Sequence, residues 1–156
     1  MSTTLRPLRE DEFAAYLSAA TVSYAADMVA HARFTPEAAR DKAESDFARL
    51  FPDGLASPGV VLHAVEEDGE RVGHVLFAEE ERHGRRCAWL YEIWIDADVR
   101  GRGIGRRVME LFEAEARARG LPRIELNVFG GNAVAWGLYR SLGFDEVAVV
   151  MEKELA

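Results

Sequence analysis

From Glu10 onward, Phe13, Tyr16, Leu17, Ala20, Tyr24 and Met28 fall at the spacing of one helical face, which predicts a long amphipathic helix. A short strand over 3–8 precedes it, and the break "RFTP" follows. Thr35 then reads as an N-cap with Pro36 at the first helical position, opening a second helix that runs to about Leu50. "FPDGLASPG" is a loop by its Pro and Gly content. The pattern then changes period. "VVLHAVEE" and "RVGHVLFAEE" read as strands joined by an Asp68-Gly69 hairpin turn. A polar turn, "ERHGRR", leads into the nearly continuous apolar strand "CAWLYEIWID".

Helical spacing returns at Ile104, Val108, Leu111, Phe112 and Ala116, in a helix from about 104 to 119 that Gly120 ends and Pro122 closes off. "RIELNVF" is a strand, "GGN" a turn, and 133–142 a helix capped by Asn132 and ended by Gly143. The alternating run "FDEVAVVMEKEL" predicts a closing strand. The order is strand, two helices, three strands, helix, strand, helix, strand. The three middle strands form an antiparallel meander, and the unit around 88–129 is a parallel crossover. The expected class is a mixed α/β (α+β) sheet with helices on both faces.

A length of 156 residues points to one domain, and no apolar run approaches the length needed to span a bilayer. The N-terminal residues lack the apolar stretch of a signal peptide, and Cys87, the single cysteine, cannot form an internal disulfide. A reducing, cytoplasmic location is the expectation. The net charge of −8 excludes a broad basic face and with it a general affinity for nucleic acid. His31, His63, His74 and His83 show no metal-ligand spacing with one another or with Cys87, so no metal is expected. Each reads as structural or exposed, and His74 is the one best placed to reach a cleft. There is no Gly-x-Ser-x-Gly nucleophile motif.

Against this acidic background, "VRGRGIGRR" at 99–107 carries four arginines and three glycines with no acid among them. It is either a solvated basic turn or an anion site. Its place between a buried strand and a helix N-terminus favours the anion. The first N–H groups of a helix lack internal partners, the helix dipole adds positive charge, and glycines let a bulky anion approach the backbone. The spacing fits neither a P-loop, which needs a Lys-Ser/Thr pair, nor the Gly-x-Gly-x-x-Gly dinucleotide fingerprint.

It does fit the Arg-x-x-Gly-x-Gly/Ala signature, as Arg100-Gly101-Arg102-Gly103-Ile104-Gly105. A second match, "NAVAWGLYRSLGF", supplies Asn132, Ala135, Leu138, Tyr139, Leu142, Gly143 and Phe144. With both motifs, the chain from about residue 60 to its end resembles the GNAT superfamily of N-acetyltransferases. The resemblance implies a single N-acetyltransferase domain over 1–156. Residues 1–55 would supply acceptor-side helices and 60–156 an acyl-CoA-binding core whose parallel strands splay apart. It implies acetyl-CoA as cofactor, its pyrophosphate on the backbone of Arg102 to Arg107 with Arg100 and Gly101 alongside. Its pantetheine arm would lie against Ile93, Trp94 and Ile95, and Asn132 would touch the same arm.

Acyl transfer to an amine needs a base, a donor for the developing oxyanion and a proton for the leaving thiolate. Glu92 interrupts the apolar run "AWLYEIWI" and is the candidate base, directly or through water; the alternative is a structural carboxylate paired with an arginine or a backbone N–H. Burial there would strengthen it as a base. Tyr139 shares a helical stripe with Asn132, Ala135 and Trp136 and is the candidate acid, or else a packing aromatic. The oxyanion donor would be the N–H of Ile93. Asn127 and Tyr24 are candidates for contact with the acceptor, and each also fits a structural role.

The resulting expectation is direct acetyl transfer to a primary amine of a small molecule or peptide. Protein N-termini or lysines are the alternative within the enzyme class, and a non-catalytic acyl-CoA sensor is the alternative outside it. The acidic composition favours cationic acceptors such as polyamines, aminoglycosides or lysine side chains. The resemblance allows a homodimer, which no sequence feature specifies.

Overall fold

A computed structural model describes residues 2–156. Strand β1 (Thr3–Pro7) leads into α1 (Glu10–His31) and α2 (Pro36–Leu50), followed by β2 (Val60–Glu67), β3 (Glu70–Arg82) and β4 (Arg85–Ile95). Helix α3 (Ile104–Ala118), β5 (Ile124–Leu126) and α4 (Ala133–Ser141) complete the fold. The strands lie in sequence order in one five-stranded sheet. The first three pairings are antiparallel and β4 with β5 is parallel, as a crossover through α3 requires.

Alternation along the strands divides the core in two. Val61, Val65, Val75, Phe77 and Leu90 point to one face, where α3 lays down Ile104, Val108, Met109 and Phe112. Leu62, Ala64 and Leu76 point to the other and meet Tyr16 and Ala20 of α1 and Phe47 of α2. Both faces of the central strand are thus covered, which explains the unbroken burial from Val75 to Ala78. Thr35 caps α2 through its side chain, accepting from the N–H of Ala38 at 3.2 Å, with Pro36 in the first turn. Among the described residues no helix is long and apolar enough to cross a membrane.

Three expectations need correction. The polar turn over 81–86 shrinks to His83-Gly84, both at positive φ, because the flanking charged residues continue the strand ladder. The strand expected over 123–129 is only three residues long, so Asn127 lies beyond its end. The closing strand does not form. Phe144 is the last residue to pack against the core, and beyond it Val147, Val149, Val150, Met151 and Leu155 are exposed. The alternation is present, but three residues of β5 give a segment of that length too little edge to pair with.

Candidate functional site

The parallel pairing of β4 with β5 stops at Leu90 and Leu126, while β4 continues to Ile95. From Tyr91 onward β4 therefore has an open edge. A bulge marks the departure: Leu90 pairs with Phe77 and Glu92 with Leu76, leaving Tyr91 as the extra residue. The gap opens into a cleft of about 480 Å³ walled by α1, α2, β4, the segment after β5, and α4. Glu92, Ile93, Tyr139, Asn132, Asn127 and Tyr24 all line it. Candidates drawn from four separate stretches of sequence thus meet in one cavity.

Glu92 lies on its floor. Its Oε2 accepts from the Tyr16 hydroxyl at 2.9 Å, and Nε2 of His74 approaches the same oxygen to 3.2 Å, off the line of a full hydrogen bond. The Tyr16 and His74 rings meet edge to face at 4.8 Å. Burial, with the Glu92 charge added, pushes the Tyr16 phenol well above its ordinary range, so it remains a donor at neutral pH. Gly73 lets the strands close at this point, since a Cβ there would stand 2.1 Å from the Trp94 carbonyl oxygen.

Tyr139 faces the cleft from α4, with its ring 5.6 Å from that of Phe144. Burial pushes its phenol up to about 12, so it keeps its proton at neutral pH, and its hydroxyl has no partner among the described residues. Asn132 caps α4, accepting from the N–H of Ala135 at 3.2 Å. Tyr24 donates to Asp46 at 3.1 Å and stacks on Phe129. Asp27, one turn along α1, also lines the cleft, and burial, then the nearby Glu92 charge, pushes its carboxyl upward against the pull of His31.

The arginine–glycine turn sits at the N-terminus of α3. Gly101 and Gly103 hold φ of +80° and +79°, which only glycine adopts readily, and Gly103 is the N-cap. A Cβ at Gly101, Gly103 or Gly105 would meet nothing within 4 Å, so the space over the turn is open. Among the described residues, the N–H groups of Gly101 to Arg106 find no acceptor, whereas that of Arg107 bonds to the Gly103 carbonyl at 3.2 Å. Open space, unpaired donors and a helix N-terminus suit a diphosphate.

The arginines diverge. Arg100 donates to the Ile95 carbonyl at 2.7 Å and lies over the Trp94 ring at 4.7 Å. Arg102 reaches the Asp98 carbonyl at 3.4 Å, and Arg106 the Ser141 hydroxyl at 2.7 Å. Arg107 turns back to Thr3 and Glu67, at 2.8 and 3.4 Å. Both its amide and its guanidinium are thus engaged elsewhere, and the free-donor run ends one residue earlier than the sequence suggests.

The sequence places Tyr16 in the core and singles out His74 as the histidine best placed to reach the cleft; the structure sets His74 behind the lining, against Glu92. The signal for both was a polar tip at a core-facing position, which identifies no partner until β3, β4 and α1 are assembled. Asp27 and the aromatic rim of Phe34, Trp89, Tyr91 and Phe129 were likewise invisible as cleft residues.

Residues 23–144 match the profile of the Acetyltransferase (GNAT) family. The uncharacterized N-acetyltransferase YycN of Bacillus subtilis (strain 168) is 31% identical over 99% of this chain and 100% of its own length. The crystal structure of YycN superimposes with a TM-score of 0.91, covering 99% of each chain. A second B. subtilis protein, the uncharacterized N-acetyltransferase YdgE, is 26% identical over 99% of both chains. AAC(6')-Iy, in complex with the bisubstrate analogue CoA-S-monomethyl-acetylneamine, shares the fold at 12% identity, with a TM-score of 0.68 and full coverage of both chains.

Proposed function

The chain belongs to the GNAT family of acetyltransferases, and on that premise we propose that it moves an acetyl group from acetyl-CoA to a primary amine of a small molecule or peptide. The observation that carries this reading is the meeting of Glu92 and Tyr139 in one cleft beside the free edge of β4. Acetyl-CoA supplies the activated acyl group as a thioester. The N–H groups of Gly101 to Arg106 hold its diphosphate, and Arg100, Arg102 and Arg106 surround them with positive charge. The outward-facing backbone groups of Ile93 and Ile95 take the amide-bearing arm as an added strand, with Asn132 on the opposite wall, while the Trp94 carbonyl turns toward β3.

An acceptor ammonium ordinarily titrates near 10.4, so it must lose a proton before it can attack. Glu92 accepts that proton, directly or through one water. The Ile93 N–H, beside the bulge, donates to the oxygen on which charge develops. The Tyr139 phenol, protonated at neutral pH and without a partner among the described residues, gives its proton to the departing sulfur. Helices α1 and α2 form the acceptor wall, where Tyr24 and Asn127 flank the amine. Asp46 is taken up by Lys42 and Arg49, and Asp27 and Glu92 are the cleft acids that no lysine or arginine pairs with among the described residues, which suits a cationic acceptor.

The test is release of free CoA with a panel holding a polyamine, an aminoglycoside, a peptide with a free N-terminus and a lysine peptide. Glu92→Gln and Tyr139→Phe should each lower kcat about 100-fold or more while acetyl-CoA still raises the melting temperature. Unchanged transfer in both variants overturns the assigned roles.

A further inference from the structure

Glu92 is held unevenly. The Tyr16 hydroxyl and Nε2 of His74 both address Oε2, at 2.9 and 3.2 Å, and among the described residues Oε1 has no partner. His74 Nε2 is buried and has no other polar atom to meet. Its ring is fixed by the edge-to-face contact with Tyr16 and by its place on β3 opposite Trp94. An imidazole held in this way, with its nitrogen 3.2 Å from one oxygen of a carboxylate though off the hydrogen-bond line, favours the other oxygen as the one left available.

We propose that His74 is a positioning residue for acetyl transfer: with Tyr16 it clamps Oε2 of Glu92 and leaves Oε1 as the atom that takes the acceptor's proton. The inference rests on the reading of Glu92 as the base. The step is one proton transfer. The N–H bond of the ammonium breaks, an Oε1–H bond forms, and the electron pair stays on the nitrogen that attacks. His74 makes and breaks no bond; its Nε2–H turns onto Oε2. The charged and titratable groups facing this pair are Tyr16 and Asp27 from α1, Glu92 from β4 and Arg71 from β3, which acts on Tyr16 and bonds Glu12 at 3.1 Å.

The experiment compares His74→Phe, His74→Gln, Glu92→Gln and the Glu92→Gln/His74→Phe double variant, with saturating acetyl-CoA and one active amine. His74→Phe should lower kcat about tenfold with KM for acetyl-CoA within about twofold. His74→Gln, whose amide N–H reaches toward the same oxygen, should recover most of that loss.

In the double variant the His74 change should cost nothing beyond Glu92→Gln, since the two act through one carboxylate. Wild-type kcat in both single His74 variants, or a loss in His74→Gln as large as in His74→Phe, with an impaired Glu92→Gln, overturns the role of His74 alone. Wild-type kcat in Glu92→Gln overturns the base reading and this inference with it. If His74→Phe does not fold, His74→Leu takes its place in the single and double variants.

Discussion

The Tyr16 hydroxyl donates to Oε2 of Glu92 at 2.9 Å, tying α1 to β4 beneath the cleft. Tyr16→Phe removes that donor and leaves the ring packed against His74 and Phe13. The expected outcome is a loss of kcat of about tenfold, with KM for acetyl-CoA within about twofold. One lost hydrogen bond to a carboxylate costs about 1–2 kcal/mol, so melting should drop by only a few degrees. Steady-state kinetics beside a thermal melt separate the two effects.

Gly103→Val tests the turn. A valine at φ +79° is strained by about 1–3 kcal/mol, and its side chain would stand in the open space over the free N–H groups. Acetyl-CoA at 100 times its Kd should stabilise the wild type by about 2.7 kcal/mol, and the variant should show no such rise. Differential scanning fluorimetry with and without acetyl-CoA reads both numbers. A retained rise would show that the diphosphate rests elsewhere.

Arg100 occupies the Ile95 carbonyl and covers the Trp94 ring in the free protein. An arm that pairs with this strand must displace it. Acetyl-CoA should therefore change the tryptophan emission of the wild type, and Trp94→Phe should remove most of that change. Arg100→Ala should raise KM for acetyl-CoA about tenfold, the cost of one charge-assisted contact.

Beside Asp46 and Glu125, whose carboxyls are also lowered, Glu12 contributes to the acid sensitivity of the fold. Its carboxylate accepts from Arg6, from Arg71 and from the Arg9 N–H, and chiefly through Arg6 its carboxyl is held at about 2 instead of the usual 4.5. A depressed folded value means the contribution is present in full above the unfolded value and fades as pH falls from about 4.5 toward 2. Glu12→Gln should melt a few degrees lower at pH 7 and lose less than the wild type between pH 4.5 and 2.5. Thermal melts across that window check the slope.

Periodicity located the helices to within a residue or so, because their apolar faces, the Thr35 and Asn132 caps and the glycine stops act locally. Glu92 and Tyr139 could be placed in the cleft for different reasons: Glu92 interrupts an apolar run, and Tyr139 shares a helical stripe with Asn132. What stayed hidden depends on distant pairing. His74 meets Glu92 only because the β3–β4 register makes them diagonal neighbours on one face, and Tyr16 joins them only because α1 crosses that face. The segment after Phe144 shows the converse. It has strand-like alternation, but the neighbouring β5 is too short to receive it, and a strand is defined by its partner as much as by its own residues.

Helix α1 lines the cleft with Tyr24 and Asp27 and, two turns earlier, braces the proton-accepting carboxylate with Tyr16. One rigid rod thus fixes both the shape offered to a guest and the readiness of the group that activates it. Tilting or rotating that rod to admit a bulkier amine would slacken the brace and slow turnover for every guest alike. Laboratory reshaping of this enzyme should begin on α2 and on the stretch after β5, where the cleft can be recut without disturbing its floor.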